Sequence, residues 1–271
     1  GTSTDVSLVL EGRPAFTTSR LVADYPVRCP MLDINVIGAG GGSIAALDDA
    51  GALKVGPRSA GAFPGPVAYG KGGTEPTTTD ANLVLGRLDA DTLLSGRMTV
   101  DKEAARKAIE TQIAAPLGLS VEDAALGILR IAVANMGRAI RAVSTEKGHR
   151  LSDFALFAYG GAGPLHAAAV AVETGMKSVL VPAQPGTMCA RGILLSDVGF
   201  DFVRTGVSTA SAEEWPQITA AFEAMTKDGD AWLDGEGIPP KAREMQYVVD
   251  ARYDGQNHEV QVVLDGIDTA Y

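Results

Sequence analysis

The spacing of apolar and polar positions changes several times along the chain, and each change marks an element. Residues 1–10 open on a small polar turn, Gly1-Thr2-Ser3, and run into an apolar stretch that reads as a strand. Residues 33–47 repeat that scheme. The β-prone run Asp33-Ile-Asn-Val-Ile37 enters the turn Gly38-Ala-Gly-Gly-Gly-Ser43, with Ile44-Ala-Ala-Leu47 behind it. Residues 51–80 are rich in Gly, Pro and Thr with little periodicity, which predicts loop with short strands. A stretch of that length without clear elements is uncommon in a compact domain and is often functional. Asp101 opens a helix whose Ala104, Ala105, Ala108, Ile109 and Ile113 share a face, and Pro116 with Gly118 ends it. Ser120-Val-Glu-Asp123 starts a long helix like a capping box, with Asp in place of Glu or Gln. Its apolar positions from Leu126 to Val143 cover a wide arc, which predicts a helix sandwiched between layers, and Gly148 stops it.

The stretch from Phe154 to Ala167 carries the most information. A strand-length apolar run, Phe154-Ala-Leu-Phe-Ala-Tyr159, breaks into Gly160-Gly-Ala-Gly163, and a helix at 164–174 and a strand at 178–181 follow. This is a β-α-β unit, expected to be parallel and right-handed. A strand-to-helix turn leaves the first helical N–H groups unpaired, and glycine has no side chain to hold a ligand away from them. Such a turn cradles a phosphate, or the sugar and base of a nucleotide. Taken alone it is a weak signal, because glycine turns of this kind are common in α/β proteins. Pro182, Pro185 and Gly186 form a further turn before a helix start at Thr187. Residues 212–233 read as an amphipathic helix and 245–264 as two alternating strands. The change of character places a domain boundary near residue 205, with an α/β part over 1–205 and the start of a smaller α+β part over 206–271.

Composition narrows the partners. Hydrophobic residues make up 46% of the chain and aromatic ones 6%, so the core rests on Ala, Val, Leu and Ile. A net charge of −10 argues against nucleic acid or an anionic membrane as partner. It leaves ATP open, since Mg²⁺ and local N–H groups hold phosphates inside acidic proteins. Cys29 and Cys189 show neither metal spacing nor a disulfide framework, which points to a reducing cytoplasm. No apolar run is long enough for a transmembrane helix, and the start carries no signal peptide. There is no initiator Met, and strand-like residues lie close to both ends, so we expect a piece of a larger polypeptide.

Three glycine turns behind β-prone runs, at 1–5, 38–43 and 160–163, resemble the actin-like ATPase superfamily of actin, sugar kinases and heat-shock chaperones. In that fold the nucleotide lies in a cleft between two halves. Gly1-Thr-Ser-Thr-Asp5 looks like the phosphate turn of the second half, and Gly160-Gly-Ala-Gly163 like its adenosine turn. Four longer motifs narrow the match: Ile37-Gly-Ala-Gly-Gly-Gly-Ser-Ile-Ala45, Val55-Gly-Pro-Arg-Ser-Ala-Gly-Ala-Phe-Pro-Gly-Pro66, Pro76-Thr-Thr-Thr-Asp-Ala-Asn-Leu-Val-Leu-Gly-Arg87 and Tyr159-Gly-Gly-Ala-Gly-Pro-Leu-His-Ala167. In this order they resemble the hydantoinase A / 5-oxoprolinase family, which also contains acetone and acetophenone carboxylase subunits. The resemblance extends to Arg252-Tyr-Asp-Gly-Gln256. Three features depart from it. The family's first phosphate motif, Asp-x-Gly-Gly-Thr, is absent, as is the Asp that precedes Gly1 in the second, so only part of an active site is expected here. Cys189-Ala190 also stands where relatives often have Ser-Ala.

The resemblance implies an α/β fold, the second half of an actin-like ATPase, followed by the start of a smaller α+β domain. It implies ATP-dependent opening of a cyclic amide such as hydantoin, N-methylhydantoin or 5-oxoproline, with Mg²⁺ or another divalent metal. The γ-phosphoryl group would pass to the amide oxygen, giving an imidate that water attacks, a step the family commonly assigns to a hydantoinase B-type subunit or domain. Gly1, Thr2 and Ser3 would hold the β- and γ-phosphates, with Asp5 at the metal or the attacking group. Gly38, Gly40, Gly41, Gly42 and Ser43 would approach phosphate or ribose, and Gly160, Gly161, Ala162 and Gly163 the adenosine. His166, one turn into its helix, is a catalytic candidate beside Asp5; imidazole there binds a ligand or metal, caps a loop, or is a structural residue. Asp80 and Asn82 offer a metal or substrate ligand, Asp80 foremost for metal, or a helix N-cap pair. Arg58, Ser59 and the Pro64-Gly65-Pro66 bend face either substrate or a partner, and His149 and His258 read as structural. The ketone-carboxylase branch shares every motif, and a non-catalytic actin-like scaffold is a third reading. A sugar kinase fits less well, because it lacks the Gly163-Pro-Leu-His-Ala167 and Thr77-Thr-Thr-Asp-Ala-Asn82 segments.

Overall fold

Strand β1 (Thr4–Ser7) pairs antiparallel with β2 (Ile34–Ile37), with Thr4 opposite Ile37 and Ser7 opposite Ile34. That register puts Val6 and Ile37 on one face, and both pack against the same buried cluster. The computed structural model describes residues 1–17, 19–22, 24–27, 31–91 and 98–267; Cys29 lies outside them. They divide into two units, Gly1–Ser196 and Asp197–Tyr271, each taken by itself here.

Between β1 and β2 the chain makes three short antiparallel ladders: Val9–Leu10 with Arg13–Pro14, Phe16–Thr17 with Met31–Leu32, and Arg20–Val22 with Tyr25–Val27. The hairpin of β3 (Ser43–Leu47) and β4 (Leu53–Ser59) is closed by Asp48, whose Oδ1 accepts from Ala50 N at 3.0 Å and Ala52 N at 2.8 Å. Its ladder slips between Val55 and Ser59. The stretch expected to be loop with short strands therefore contains a seven-residue strand and, at its end, a helix, α1 (Thr78–Val84). Periodicity missed β4 because Gly56 and Pro57 interrupt it. Helix α2 (Lys102–Ile109) starts on Asp101, whose carboxylate accepts from Ala104 N at 2.8 Å, and it continues as a π-helical turn over Glu110–Ala114. Gly118, at φ 65°, ends the segment in the left-handed region.

Helix α3 (Val121–Val143) is the frame of the first unit. Ser120 caps it, accepting from Asp123 N at 3.0 Å. The Asp123 side chain accepts from the Ser120 hydroxyl at 2.6 Å, so this cap is a side-chain pair rather than a reciprocal box. The N-terminal half of α3 packs Ala125, Ile128 and Leu129 with Leu83 of α1 and Ile109 of α2. The C-terminal half packs Val133, Met136 and Ile140 with Val170, Val6, Ile37 and Leu156. The sandwiched helix expected from its wide apolar arc is what forms.

The β-α-β unit follows as expected, with β5 (Ala155–Phe157), α4 (Gly163–Thr174) and β6 (Ser178–Leu180), and the two strands are parallel. Helix α5 (Met188–Leu195) closes the unit, with the thiol of Cys189 free and exposed. In the second unit, α6 (Trp215–Gly235) precedes an antiparallel pair, β7 (Tyr247–Ala251) and β8 (Val260–Leu264). Arg243 fastens the end of α6, donating to Ile238 O at 2.7 Å and to Asp230 Oδ1 at 3.0 Å. No helix among the described residues is long and apolar enough to cross a membrane.

If α3 is the frame, Ile128→Ala should lower stability by about 2–5 kcal/mol, the range for emptying a fully buried site. Arg130→Ala, exposed on the same helix, should change it by less than about 0.5 kcal/mol. Urea midpoints of the two variants measure both; equal losses would contradict the packing described.

Candidate functional site

The first two glycine turns form one structure in space. Gly42 N donates to Gly1 O at 3.0 Å, and Thr4 Oγ1 donates to Ala39 O at 2.5 Å. Gly1, Thr2 and Ser3 are exposed, while Ala39 to Ala45 are buried beneath them. The glycines of the buried turn leave no room for a Cβ, against backbone at Gly40 and against side chains at Gly38, Gly41 and Gly42. A Cβ on Gly40 would stand 2.6 Å from Gly1 O, and one on Gly41 would stand 2.9 Å from Thr79 Oγ1. On Gly42 a Cβ would meet Ser59 Oγ at 2.8 Å, and on Gly38 it would meet Pro57 Cβ at 2.9 Å. Ser43 locks the turn, its Oγ accepting from Gly40 N at 2.8 Å and donating to Gly38 O at 3.3 Å. Thr79 clamps it from α1, donating through both N and Oγ1 to Gly41 O at 2.8 Å.

The amides of Gly40, Gly42 and Ser43 are taken by Ser43 Oγ, Gly1 O and Gly40 O. The 38–43 turn is thus a support that positions Gly1–Ser3, with most of its own donors spent internally. Ser59 and Thr79, which hold it, carry no pattern in the sequence that marks them for this role.

The Gly160–Gly163 turn is built differently. Gly160 has a φ of 86° and donates its N–H to Pro185 O at 2.8 Å, which joins the turns after β5 and β6. A Cβ on Gly160, Gly161 or Gly163 would meet nothing within 4 Å, so the turn borders open space. Ala162 stands at the N-cap of α4 and supplies no side-chain cap. An open turn at an uncapped helix start has the geometry of an anion or nucleotide cradle. No hydrogen bond among the described residues joins this turn to the first assembly. Both are mounted on elements that pack around the C-terminal half of α3.

The charged candidates separate clearly. Asp5 lies exposed on β1, directly after the Gly1–Ser3 turn, opposite Val36. Asp80 is fully buried and accepts four hydrogen bonds: from Ala68 N and Thr77 N at 2.8 Å, Val67 N at 3.2 Å and Thr77 Oγ1 at 2.7 Å. Burial pushes its carboxyl above the usual range against the pull of those donors. Three of these bonds fall on Oδ2 and one on Oδ1, and the whole side chain is closed off from solvent. It is the N3 member of a capping box whose N-cap is Thr77, and it ties α1 to residues 67–68. Asn82 caps nothing; its Nδ2 donates to Thr78 O at 2.9 Å, and its buried Oδ1 has no protein partner. His166 is 1% exposed, inside the packing of α4, and neither ring nitrogen has a hydrogen-bond partner among the described residues. Burial, and secondarily the charge of Arg87, hold it below the usual 6.5, so the ring is neutral. It is not on the open face of the glycine turn. Arg58 pairs with Glu75 at 2.7 Å on the surface. No cluster of three or more His, Cys, Asp or Glu suited to a metal exists among the described residues. Mg²⁺ held mainly by nucleotide phosphates needs only one or two protein carboxylates, and Asp5 is available for that.

The family model described as hydantoinase/oxoprolinase matches residues 1–201. Caprolactamase subunit alpha of Pseudomonas jessenii is 45% identical over 267 residues, which are 97% of this chain and 38% of that protein. 5-oxoprolinase 1 of Arabidopsis thaliana is 35% identical over 278 residues, 97% of this chain and 22% of that protein. The nucleotide-free structure of acetone carboxylase, an enzyme of ATP-dependent acetone carboxylation, superposes with a TM-score of 0.82 at 30% identity, covering 97% of this chain and 38% of that one. This chain thus spans well under half the length of these relatives.

The buried imidazole has a pH signature. As pH falls through the unfolded value near 6.5, the unfolded chain takes up a proton that the folded chain refuses, so stability present above that pH is lost down to the folded pKa. The urea midpoint should therefore fall more steeply in wild type than in His166→Gln on moving from neutral to mildly acidic buffer. Parallel profiles would contradict a neutral, buried His166.

Proposed function

The chain belongs to the hydantoinase/oxoprolinase family, and on that premise we propose that it carries the second-half nucleotide turns of an ATP-dependent cyclic amidohydrolase. The observation that supports this reading is the exposed Gly1–Ser3 segment seated on the buried Gly40–Gly42 backbone, which we read as the phosphate cradle. The open Gly160–Gly163 turn is the proposed adenosine side. Two relatives, named caprolactamase subunit alpha and 5-oxoprolinase 1, support the substrate class.

An amide carbonyl is a weak electrophile. In the proposed reaction the amide oxygen attacks the γ-phosphorus and the bond to the bridging oxygen of ADP breaks. Water adds at the carbon of the resulting imidoyl phosphate, the C–N bond breaks as the ring nitrogen takes a proton, and a second water hydrolyses the acyl phosphate so formed, releasing phosphate. The parts assigned to this chain are positioning and charge stabilisation, which dominate phosphoryl transfer. The backbone N–H and hydroxyl groups of Gly1, Thr2 and Ser3 hold phosphate oxygens. Asp5 holds Mg²⁺, which neutralises charge developing on the transferred group. Water attack is assigned to a B-type partner subunit or domain, in keeping with a relative named as a subunit. A second reading, activation of a ketone for carboxylation, rests on the TM-score of 0.82 with acetone carboxylase.

The test is ADP release by the full-length protein with its partner, supplied in turn with 5-oxoproline, hydantoin, N-methylhydantoin, caprolactam, or acetone plus bicarbonate. Stimulation by a cyclic amide alone is expected. Stimulation by the ketone alone would establish the second reading, and turnover indifferent to every substrate would leave a scaffold. Gly161→Val separates binding from folding, because its side chain meets no protein atom at Cβ. It should leave the urea midpoint within about 0.5 kcal/mol yet raise the KM for ATP about tenfold or more, roughly 1.4 kcal/mol. An unchanged KM would remove the 160–163 turn from the nucleotide site.

A further inference from the structure

A cavity of about 660 Å³ lies beside the glycine assembly, between β2, β4 and α3, and no step proposed above uses it. Part of its wall is bare backbone. Gly38 and Gly56 approach so closely that a Cβ on Gly56 would stand 2.4 Å from Gly38 O, and Gly56 holds a φ of 68°. The polar side chains around it are Asn35, Lys54, Asn135 and Arg138, and no carboxylate lines it, although the whole chain carries a net charge of −10. The two carboxamides are pinned. Asn35 Nδ2 donates to Ala139 O at 3.3 Å, and Asn135 Nδ2 donates to Val55 O at 3.2 Å. The fixed Oδ1 of Asn135 then accepts from Arg138 Nη2.

That contact orients Arg138. Arg141, less than one helical turn further along α3, faces a carboxylate instead. Arg138 makes no ion pair among the described residues, and an amide oxygen orients its guanidinium while its charge is left unneutralised. Lys54 contributes less, because it sits 3.5 Å from Asp48. A planar guanidinium with free N–H groups, at a cavity free of acidic groups, matches the two-pronged geometry of carboxylate and phosphate oxygens.

We propose that this cavity is a binding site for a compact anion, a carboxylate or phosphate group, anchored by Arg138 and oriented through Asn135. The site is separate from the Gly1–Ser3 and Gly160–Gly163 turns; as a substrate-carboxylate site it rests on the reaction proposed above, and as a phosphate site it does not. Two sources share the chemistry: the carboxylate of a substrate such as 5-oxoproline, and free inorganic phosphate.

Calorimetric titration of the nucleotide-free, full-length protein distinguishes them, with 5-oxoproline, its carboxyl-free analogue 2-pyrrolidinone and inorganic phosphate as probes. At least one anion should bind, more weakly as salt is raised, and the neutral ring should not. Arg138→Ala should weaken that binding about tenfold or more, and Arg138→Lys, which keeps the charge but loses the fork, by less. Arg138 is exposed, so both variants should fold, and their urea midpoints check this. Binding of 5-oxoproline identifies the substrate carboxylate, and binding of phosphate alone identifies the free ion. Anion affinity unchanged in Arg138→Ala, equal binding of 2-pyrrolidinone, or no binding of either anion would overturn the proposal. Because the readout needs no turnover, a protein that releases ADP with no cyclic amide and still shows Arg138-dependent binding would lose the proposed reaction and keep this site.

Discussion

One helix serves two cores. The N-terminal half of α3 completes the cluster formed with α1 and α2, and its C-terminal half completes the cluster under β1, β2, β5 and α4. Neither cluster can close its apolar surface without it, and a rigid 23-residue rod fixes the distance between them. The candidate turns inherit that rigidity. Gly1–Ser3 leads into β1 and Gly38–Ser43 follows β2, while Gly160–Gly163 connects β5 to α4. Each turn is thus anchored at one or both ends in elements packed on the same half-helix. Sites that act by positioning need such a mount, since donors that must reorganise lose most of their electrostatic benefit.

The two kinds of glycine turn solve different problems. At Gly40, glycine lets one backbone segment lie directly against another, and donors of the turn are spent on keeping it there. Around Gly160 to Gly163 glycine leaves room for something outside the protein, and the helix start is left without a side-chain cap. One supports and the other presents. The same division appears among the threonines and acids of the 77–80 segment. Thr77 and Asp80 close a capping box in the interior, while Thr79 reaches across to fasten Gly41. A motif that suggests metal or substrate chemistry thus serves, through Asp80, to hold α1 against the turn it clamps.

Arg138 and His166 show how burial and partners change the meaning of a side chain. His166 is a titratable group held in one state by its surroundings, and its location inside the packing of α4 separates it from the open face of the neighbouring turn. Arg138 makes no ion pair among the described residues, and a pinned carboxamide orients it beside the cavity. Neither difference follows from residue type.

The sequence by itself determined the local elements: the caps on Asp101 and Ser120, the left-handed stop at Gly118, the wide apolar arc of α3, the β-α-β order and the three glycine turns. Each depends on residues close together in the chain, where steric and hydrogen-bonding preferences act directly. It also carried the family, through motifs whose order is preserved. The short ladders between Val9 and Leu32 were not legible, because two- and three-residue strands are too short to show a period. Strand β4 was hidden by Gly56 and Pro57, whose dipeptide reads as a turn. Only the tertiary structure decided that Gly40 lies against Gly1, that Asp80 caps a helix, that His166 is sealed from the turn it follows, and that Arg138 meets an amide and no acid. The first is a contact between segments far apart in sequence, and the others depend on which elements pack around the residue, so none leaves a periodic trace.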